Sequence, residues 1–332
     1  MMKYSIRLFF VIVLQWLAPT PAAAADRQVL DDFEDVSAWA PFPADGVSLK
    51  LSSDTGRIGK ALRMDFGFTG GGYAVARRKL DLDLPENYAF TFDIKGDAPV
   101  NHLEFKLLDA SGENVWWYVR RDMTFPADWT LLRTKKRQIT FAWGPLPGEL
   151  RHVAAVEIVV TAGTGGTGTL WVDDFALVTL PPPGATPPQP VAEASTEQPN
   201  AAAGLAVDSD SLSAWRPAEL PAGLTIDYAV PREFGALTLT WGAVGVPSEY
   251  AVLGSMDGRS WTTLASVYHG NAGRDDFLLP ESEWRYLRID LPPPADPTSA
   301  PPLPSLLDVR LQPLEIGASR EAFFGMLARA AP

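Results

Sequence analysis

The chain of 332 residues contains no cysteine and only three histidines. Without cysteine there are no disulfides, no lipoprotein attachment and no thiol nucleophile. No GxSxG, HExxH, P-loop or glycine-rich dinucleotide turn behind a strand occurs, so no catalytic motif can be recognised. Acidic residues are no substitute for one. With 40 of them present, a pair suited to glycoside hydrolysis cannot be picked out by presence alone. Positive charge is also scarce: 28 Lys and Arg give a formal net charge of −12. That field disfavours nucleic acid and anionic membranes as partners. The one basic run, Arg133, Lys135, Lys136 and Arg137, reads as a solvated strand edge that discourages edge pairing. Beyond the N-terminus no apolar run is long enough to span a bilayer.

What is present begins with an export signal. Lys3 and Arg7 precede an apolar run from Leu8 to Leu17, then Ala-rich small residues, which reads as a signal peptide over residues 1–25. The expected destination is the periplasm or the exterior. Composition is otherwise that of globular domains, with 46% hydrophobic and 20% charged residues. Exported domains without disulfides must hold together by core burial.

Proline, alanine and small polar residues take over at 181–203, which reads as a semi-extended linker. It separates a domain at 26–180 from one at 204–315, followed by a helical tail at 316–332. Both domains show period-two alternation. Phe90, Phe92 and Ile94 share a face, as do Leu103, Phe105 and Leu107, and in the second domain Leu237, Leu239 and Trp241. Asp257 and Gly258 mark a turn, and "TAGTGGTGTLW" reads as a hairpin turn between strands. Ser319 is the expected N-cap of the tail helix, with Phe323, Phe324 and Leu327 at helical spacing. No long amphipathic helix interrupts either domain. The expected fold is therefore all-β: two antiparallel β-sandwich (jelly-roll) domains, a Pro/Ala-rich linker and a short C-terminal helix.

The stretch "ASGENVWWYVRRDMTFPADW" raises the question of function. Strand alternation, with Val115, Trp117 and Val119 assigned inward, puts Trp116, Tyr118 and Arg120 on the opposite face. In "NHLEFKLL" the same parity places His102, Glu104 and Lys106 opposite the apolar set. If both strands share a sheet, the two rows make one aromatic and polar surface. Sugars stack C–H patches on aromatic rings and surround them with hydroxyls that need donors and acceptors, so such a surface suits a glycan. Trp143, read as a loop residue in "FAWGPLPG", is a candidate supplement. The competing reading gives these tryptophans to the core rim.

Three segments of the second domain, "LTIDYAVPREFGALTLTW", "SEYAVLGSMDGRSW" and "WRYLRIDL", resemble in order the strand motifs of discoidin-like (coagulation factor five/eight C-type) domains. The first domain opens with "LDDFED", continues through "GKALRMDF" and closes with "TLWVDDFALV". It resembles a galactose-binding-like jelly roll of the carbohydrate-binding-module type. The pairing is similar to the N-terminal part of large exported bacterial glycosidase-like proteins, whose catalytic region has no counterpart here. The resemblance implies a noncatalytic carbohydrate-binding role and a polysaccharide or glycan partner. It leaves open the binding part of a shortened glycosidase, or an adhesion module for a cell-envelope protein. For the second domain it implies a binding edge made of loops, with Trp215, Arg216, His269, Asn271 and Arg274 as candidates. No cofactor is required; a structural calcium is implied at strand ends, with Asp31, Asp32, Glu34, Asp173 and Asp174 as candidate ligands.

Overall fold

The computed structural model describes residues 26–243, 245–270, 273–294 and 302–330. The expected signal peptide and Asn271 lie outside the described residues, as does the middle of the proline-rich stretch at 291–304. The chain divides into two compact units, at Ala185 and Thr186.

The first unit is built of β1 (Arg27–Asp31), β2 (Trp39–Pro41), β3 (Val47–Thr55), β4 (Lys60–Phe68), β5 (Tyr73–Asp83), β6 (Tyr88–Asp97), β7 (Asn101–Leu108), β8 (Val115–Met123), β9 (Thr130–Lys135), β10 (Thr140–Trp143), β11 (His152–Thr161) and β12 (Gly166–Thr179). One sheet runs β3-β4-β12-β6-β9, with β1 also on β12, and the other runs β10-β8-β7-β11-β5-β2. All pairings are antiparallel. Alternation explains the sandwich. Phe90, Phe92 and Ile94 of the first sheet and Leu103, Phe105 and Leu107 of the second are all buried in one core. There Phe90, Phe92, Phe105 and Phe175 meet at centroid distances of 5.1 to 6.3 Å, each such ring pair adding about 0.5–1.5 kcal/mol beyond area burial.

The glycine-rich segment after β11 is not a hairpin turn. β11 and β12 belong to different sheets, so 162–165 arches from one layer to the other. Asn101, fully buried, accepts the amides of Gly163 and Gly165 at 2.8 and 2.9 Å and closes this arch. The basic run begins on β9, an edge strand as expected, but Lys135 at its end is buried rather than solvated.

The second unit contains β13 (Val191–Ala194), β14 (Ala222–Trp241), β15 (Tyr250–Ser255), β16 (Thr262–Val267), β17 (Arg274–Leu291), β18 (Leu306–Gln312) and α1 (Arg320–Ala330). The order is β13-β14-β17-β15-β16, with β18 on β14. The long strands serve two layers. The first half of β14 pairs with the second half of β17 and with β13, while its second half pairs with the start of β17 and with β18. Leu224 and Ile226 from one half therefore pack with Leu237, Leu239 and Trp241 from the other. The expected linker is thus too long: 191–194 pairs as β13, and Ala201 and Ala203 are buried. Alanine there fills a core, which composition alone does not distinguish from a spacer. Ser319 caps α1, accepting the Ala322 amide at 3.1 Å. Among the described residues no helix is long and apolar enough to cross a membrane.

Candidate functional site

The register of the second sheet of the first unit sorts its side chains onto two faces. Leu107 lies opposite Trp116, Phe105 opposite Tyr118 and Leu103 opposite Arg120. Directly paired residues share a face, so Trp116, Tyr118 and Arg120 sit on the core side. Trp116 is buried, stands edge-on to Phe141 at 5.4 Å and donates its indole N–H to the Gly148 carbonyl at 3.0 Å. Tyr118 and Arg120 occupy the margin of that side, Arg120 Nε donating to the Tyr118 hydroxyl at 3.2 Å. The expected parity of β8 is therefore inverted: Trp117, not Trp116, points away from the core.

The cause lies in the second face of the strand. Val115 packs there with Leu108, Ala155 and Ala142 in a small apolar cluster outside the main core. A strand apolar on both faces carries no parity signal.

The other expected row is on the outer face. Across the sheet the rungs read Trp117, Lys106, Glu157, Arg77; then Val119, Glu104, Val159, Val75; then His102, Thr161, Tyr73. The two rows nominated from sequence thus occupy opposite faces. Glu104 and Lys106 are buried at 7% exposure each, although they face outward. Aromatic rings account for the cover: the Lys106 ammonium lies 5.1 Å from the Trp143 centroid, 5.9 Å from Trp117 and 6.0 Å from Tyr73. Trp143 ends edge strand β10 rather than sitting in a loop. It meets Trp117 edge-on at 5.5 Å.

Beneath the rings runs a chain of charges. Lys106 Nζ pairs with Glu104 at 2.8 Å, Glu104 accepts the Thr161 hydroxyl at 2.9 Å, and Arg77 pairs with Glu157 at 2.5 Å. The Arg77 guanidinium lies 4.4 Å from the Phe42 ring. Tyr73, Trp143 and Phe42 remain about half exposed, at 48%, 47% and 45%. His102 borders the site, its Nδ1 accepting the Asp122 amide at 2.9 Å. Both cations are committed to carboxylates, so the row is balanced and polar under an aromatic rim.

Sequence reasoning missed Tyr73, Arg77, Trp117 and Glu157. Glu157 left a readable signal, being the one charge in the apolar run "VAAVEIVV".

The expected calcium ligands do other work. Asp31 accepts the Trp39 indole N–H at 2.7 Å and pairs with Arg78 at 2.7 Å. Asp32 accepts the Glu34 amide, and Asp174 pairs with Arg27 at 2.7 Å. Glu34 and Asp173 grip one turn: Glu34 accepts the Lys60 amide at 2.9 Å, and Asp173 accepts those of Arg57 and Ile58 at 2.8 and 3.1 Å. Burial pushes the Asp173 carboxyl above its ordinary range. Among the described residues no three acidic or histidine side chains converge to hold an ion. In this arrangement amides, an indole and arginines hold these five carboxylates.

In the second unit Trp215 is fully buried, its indole N–H donating to the Thr196 carbonyl and its backbone bridging Leu306. It is core, because the segment before β14 is pinned across the sandwich. Arg216 and His269 are exposed, and Arg274 pairs with Asp276 at 2.7 Å. Trp215 is core and Arg274 opens strand β17, so neither lies in a binding loop. A cleft of about 590 Å³ opens instead on the sheet, lined by Gly223, Glu249, Ala251, Tyr268, Arg288 and Asp290 among others.

Exposed rings over balanced charges make a surface that can stack on and hydrogen-bond a ligand. The family model described as carbohydrate binding domain (family 11) matches residues 17–134, and that of the F5/8 type C domain matches residues 191–300. The chain therefore carries a carbohydrate-binding-module domain followed by a discoidin-type domain. No curated protein matches it.

Among solved structures, it is similar to the family 11 carbohydrate-binding module from Clostridium thermocellum in complex with a beta-1,3-1,4-mixed-linked tetrasaccharide. Identity there is 21%, covering 48% of this chain and 99% of that one, with a TM-score of 0.42. It is also similar to chitosan-binding module 1 of a Paenibacillus sp. IK-5 chitosanase/glucanase, at 24% identity over 36% and 92% with a TM-score of 0.33. The family 32 module of C. perfringens NanJ, in complex with galactose, aligns at 16% identity over 37% and 93%, with a TM-score of 0.33. Neither family match is to a catalytic domain.

Proposed function

We propose that this chain is an exported, noncatalytic glycan-binding protein whose first domain holds a neutral polysaccharide on the outer face of the β10-β8-β7-β11-β5-β2 sheet. The observation that carries this reading is the set of Tyr73, Trp117 and Trp143 rings around the Lys106–Glu104 pair. Rings give pyranose C–H faces a stacking surface, and charged groups at their base give hydroxyls donors and acceptors. Burying an ion pair contributes little net stability, because desolvation offsets attraction. Its place beneath an exposed rim fits recognition better than folding. The pairs Lys106–Glu104 and Arg77–Glu157 cancel in charge, which favours an uncharged glycan over a uronate or an amino sugar. Export rests on the N-terminal sequence, and the noncatalytic part on the two family matches, neither of which is to a catalytic domain.

Affinity gel electrophoresis against soluble neutral β-glucan is the test. Retention of the native chain, weakened by Trp143→Ala or Tyr73→Ala with the polysaccharide recovered intact, is expected. Retention unaffected by either substitution would refute the reading. Release of reducing ends would refute the noncatalytic part.

A further inference from the structure

We propose that edge strand β16 of the second domain pairs antiparallel with the same strand of a second copy of this chain, joining two sheets into one. An edge strand offers unpaired N–H and C=O groups to any extended chain, and proteins blunt such edges with charge, proline, short length or bulges. The other edges among the described residues are blunted in these ways. Charges stand on β1 (Arg27, Asp31), β3 (Lys50, Asp54), β9 (Arg133, Lys135), β13 (Glu193) and β18 (Asp308, Arg310). β2 has three residues and ends on Pro41, and β10 has four with a break in register. β16 differs. Its six residues, Thr262 to Val267, include neither charge nor proline, and it pairs with β15 alone.

The one irregularity of β16 makes it self-complementary. Its register with β15 skips Leu264, so Thr263 lies across from Leu253 and Ser266 across from Ala251. Both belong to the outer face, because Leu253 and Ala251 continue the rungs of Arg288 and Asp290. Without the extra residue, side chains three apart would point to opposite faces. A twofold axis perpendicular to the sheet, passing between Leu264 and Ala265, therefore sets Thr263 against Ser266 of the second copy on the outer face. On the core side it sets Leu264 against Ala265 of the second copy, both of which pack against the domain core. Farther out, Trp261 meets Tyr268 of the second copy. The Trp261 ring lies on the outer face, 6.0 Å from the Arg288 guanidinium, and Tyr268 is 66% exposed. Paired hydroxyls and paired aromatics are favourable cross-strand neighbours. In a chain of net charge −12, this seam is one where no like charges meet. An unlike strand would have to match the whole pattern, whereas a second copy matches it by symmetry.

The inference does not rest on the glycan reading, since mass and cross-linking are its readouts. Sedimentation equilibrium of the full chain, at up to about 0.5 mM, is expected to show an equilibrium between monomer and dimer. Ser266→Lys puts an ammonium from each copy at the seam and should weaken dimerisation tenfold or more. Thr130→Lys, on the β9 edge, should leave it unchanged. Because the chain has no cysteine, register is tested by mixing differently tagged Thr263→Cys and Ser266→Cys chains under mild oxidation. The mixture should cross-link between the two tags. Each variant alone should not, since like positions lie about 10 Å apart across the axis, beyond the reach of a disulfide. A chain that stays monomeric throughout overturns the proposal, as does a dimer indifferent to Ser266→Lys. Cross-linking of either variant alone as readily as the mixture overturns it too, because the strands would then not meet in this register.

Discussion

The two outer faces of the first domain both set tryptophan beside cations, and they differ in what has already claimed the groups. On the β3-β4-β12-β6-β9 sheet, Trp171 stands between Arg63 and Lys95 on the adjoining strands. The Lys95 ammonium lies 4.7 Å and the Arg63 guanidinium 5.3 Å from its centroid, while its indole N–H donates to Asp54 at 2.9 Å. Ring and polar tip are both engaged by the protein. On the opposite sheet the single ammonium of Lys106 is shared among three rings, two of them about half exposed. Aromatic and basic composition is therefore no mark of a site. What matters is whether the ring faces are still open to a ligand after the protein has satisfied its own polar groups.

Breaking this contrast begins with the indole doublet. Trp116→Ala should cost about 3–5 kcal/mol, the usual range for emptying a core aromatic site, whereas Trp117→Ala should cost under about 1.5 kcal/mol. Guanidinium unfolding measures both, and equal costs would contradict the face assignment. Next comes the double variant Tyr73→Ala with Trp143→Ala. At about 1.4 kcal/mol per ring, its affinity for neutral β-glucan should fall about a hundredfold. Trp171→Ala is the matching control and should alter retention by no more than about twofold, as expected of a distant, independent site.

The smallest effect concerns pH. Hydrogen bonds from the Trp171 indole, the Thr55 amide and Arg63 hold the Asp54 carboxyl at about 2, below its ordinary 3.8. A carboxyl depressed in the folded state binds fewer protons there than in the unfolded chain. Its stabilisation is thus complete above the unfolded value of 3.8 and is lost as pH falls through about 2. Asp54→Asn should flatten the decline in stability over that interval, seen as a shallower fall of Tm with acid.

The same contrast explains how far the chain could be read in advance. Strands with one polar face, such as "NHLEFKLL", gave their parity correctly, because only one arrangement buries Leu103, Phe105 and Leu107. "VWWYV" did not, since its outer face meets apolar neighbours from β7, β10 and β11 as well. Trp215 failed for a related reason. A lone tryptophan in irregular chain carries no periodicity, and only the fold over it shows that it is core. Of the eventual surface, Glu104, Lys106, His102 and Trp143 were legible. Tyr73, Arg77 and Glu157 come from strands distant in the chain, joined only by register.

Sequence alone determined the all-β class and the layered cores, because alternation with a period of two admits no other economical burial. The capped terminal helix was equally local, since Ser319 needs only its own next turn. Tertiary structure decided which indole of the doublet faces solvent, which carboxylates pair with arginines, and where the second domain opens a cleft. Those outcomes depend on cross-strand neighbours, and pairing register is a property of the whole sheet rather than of any one strand.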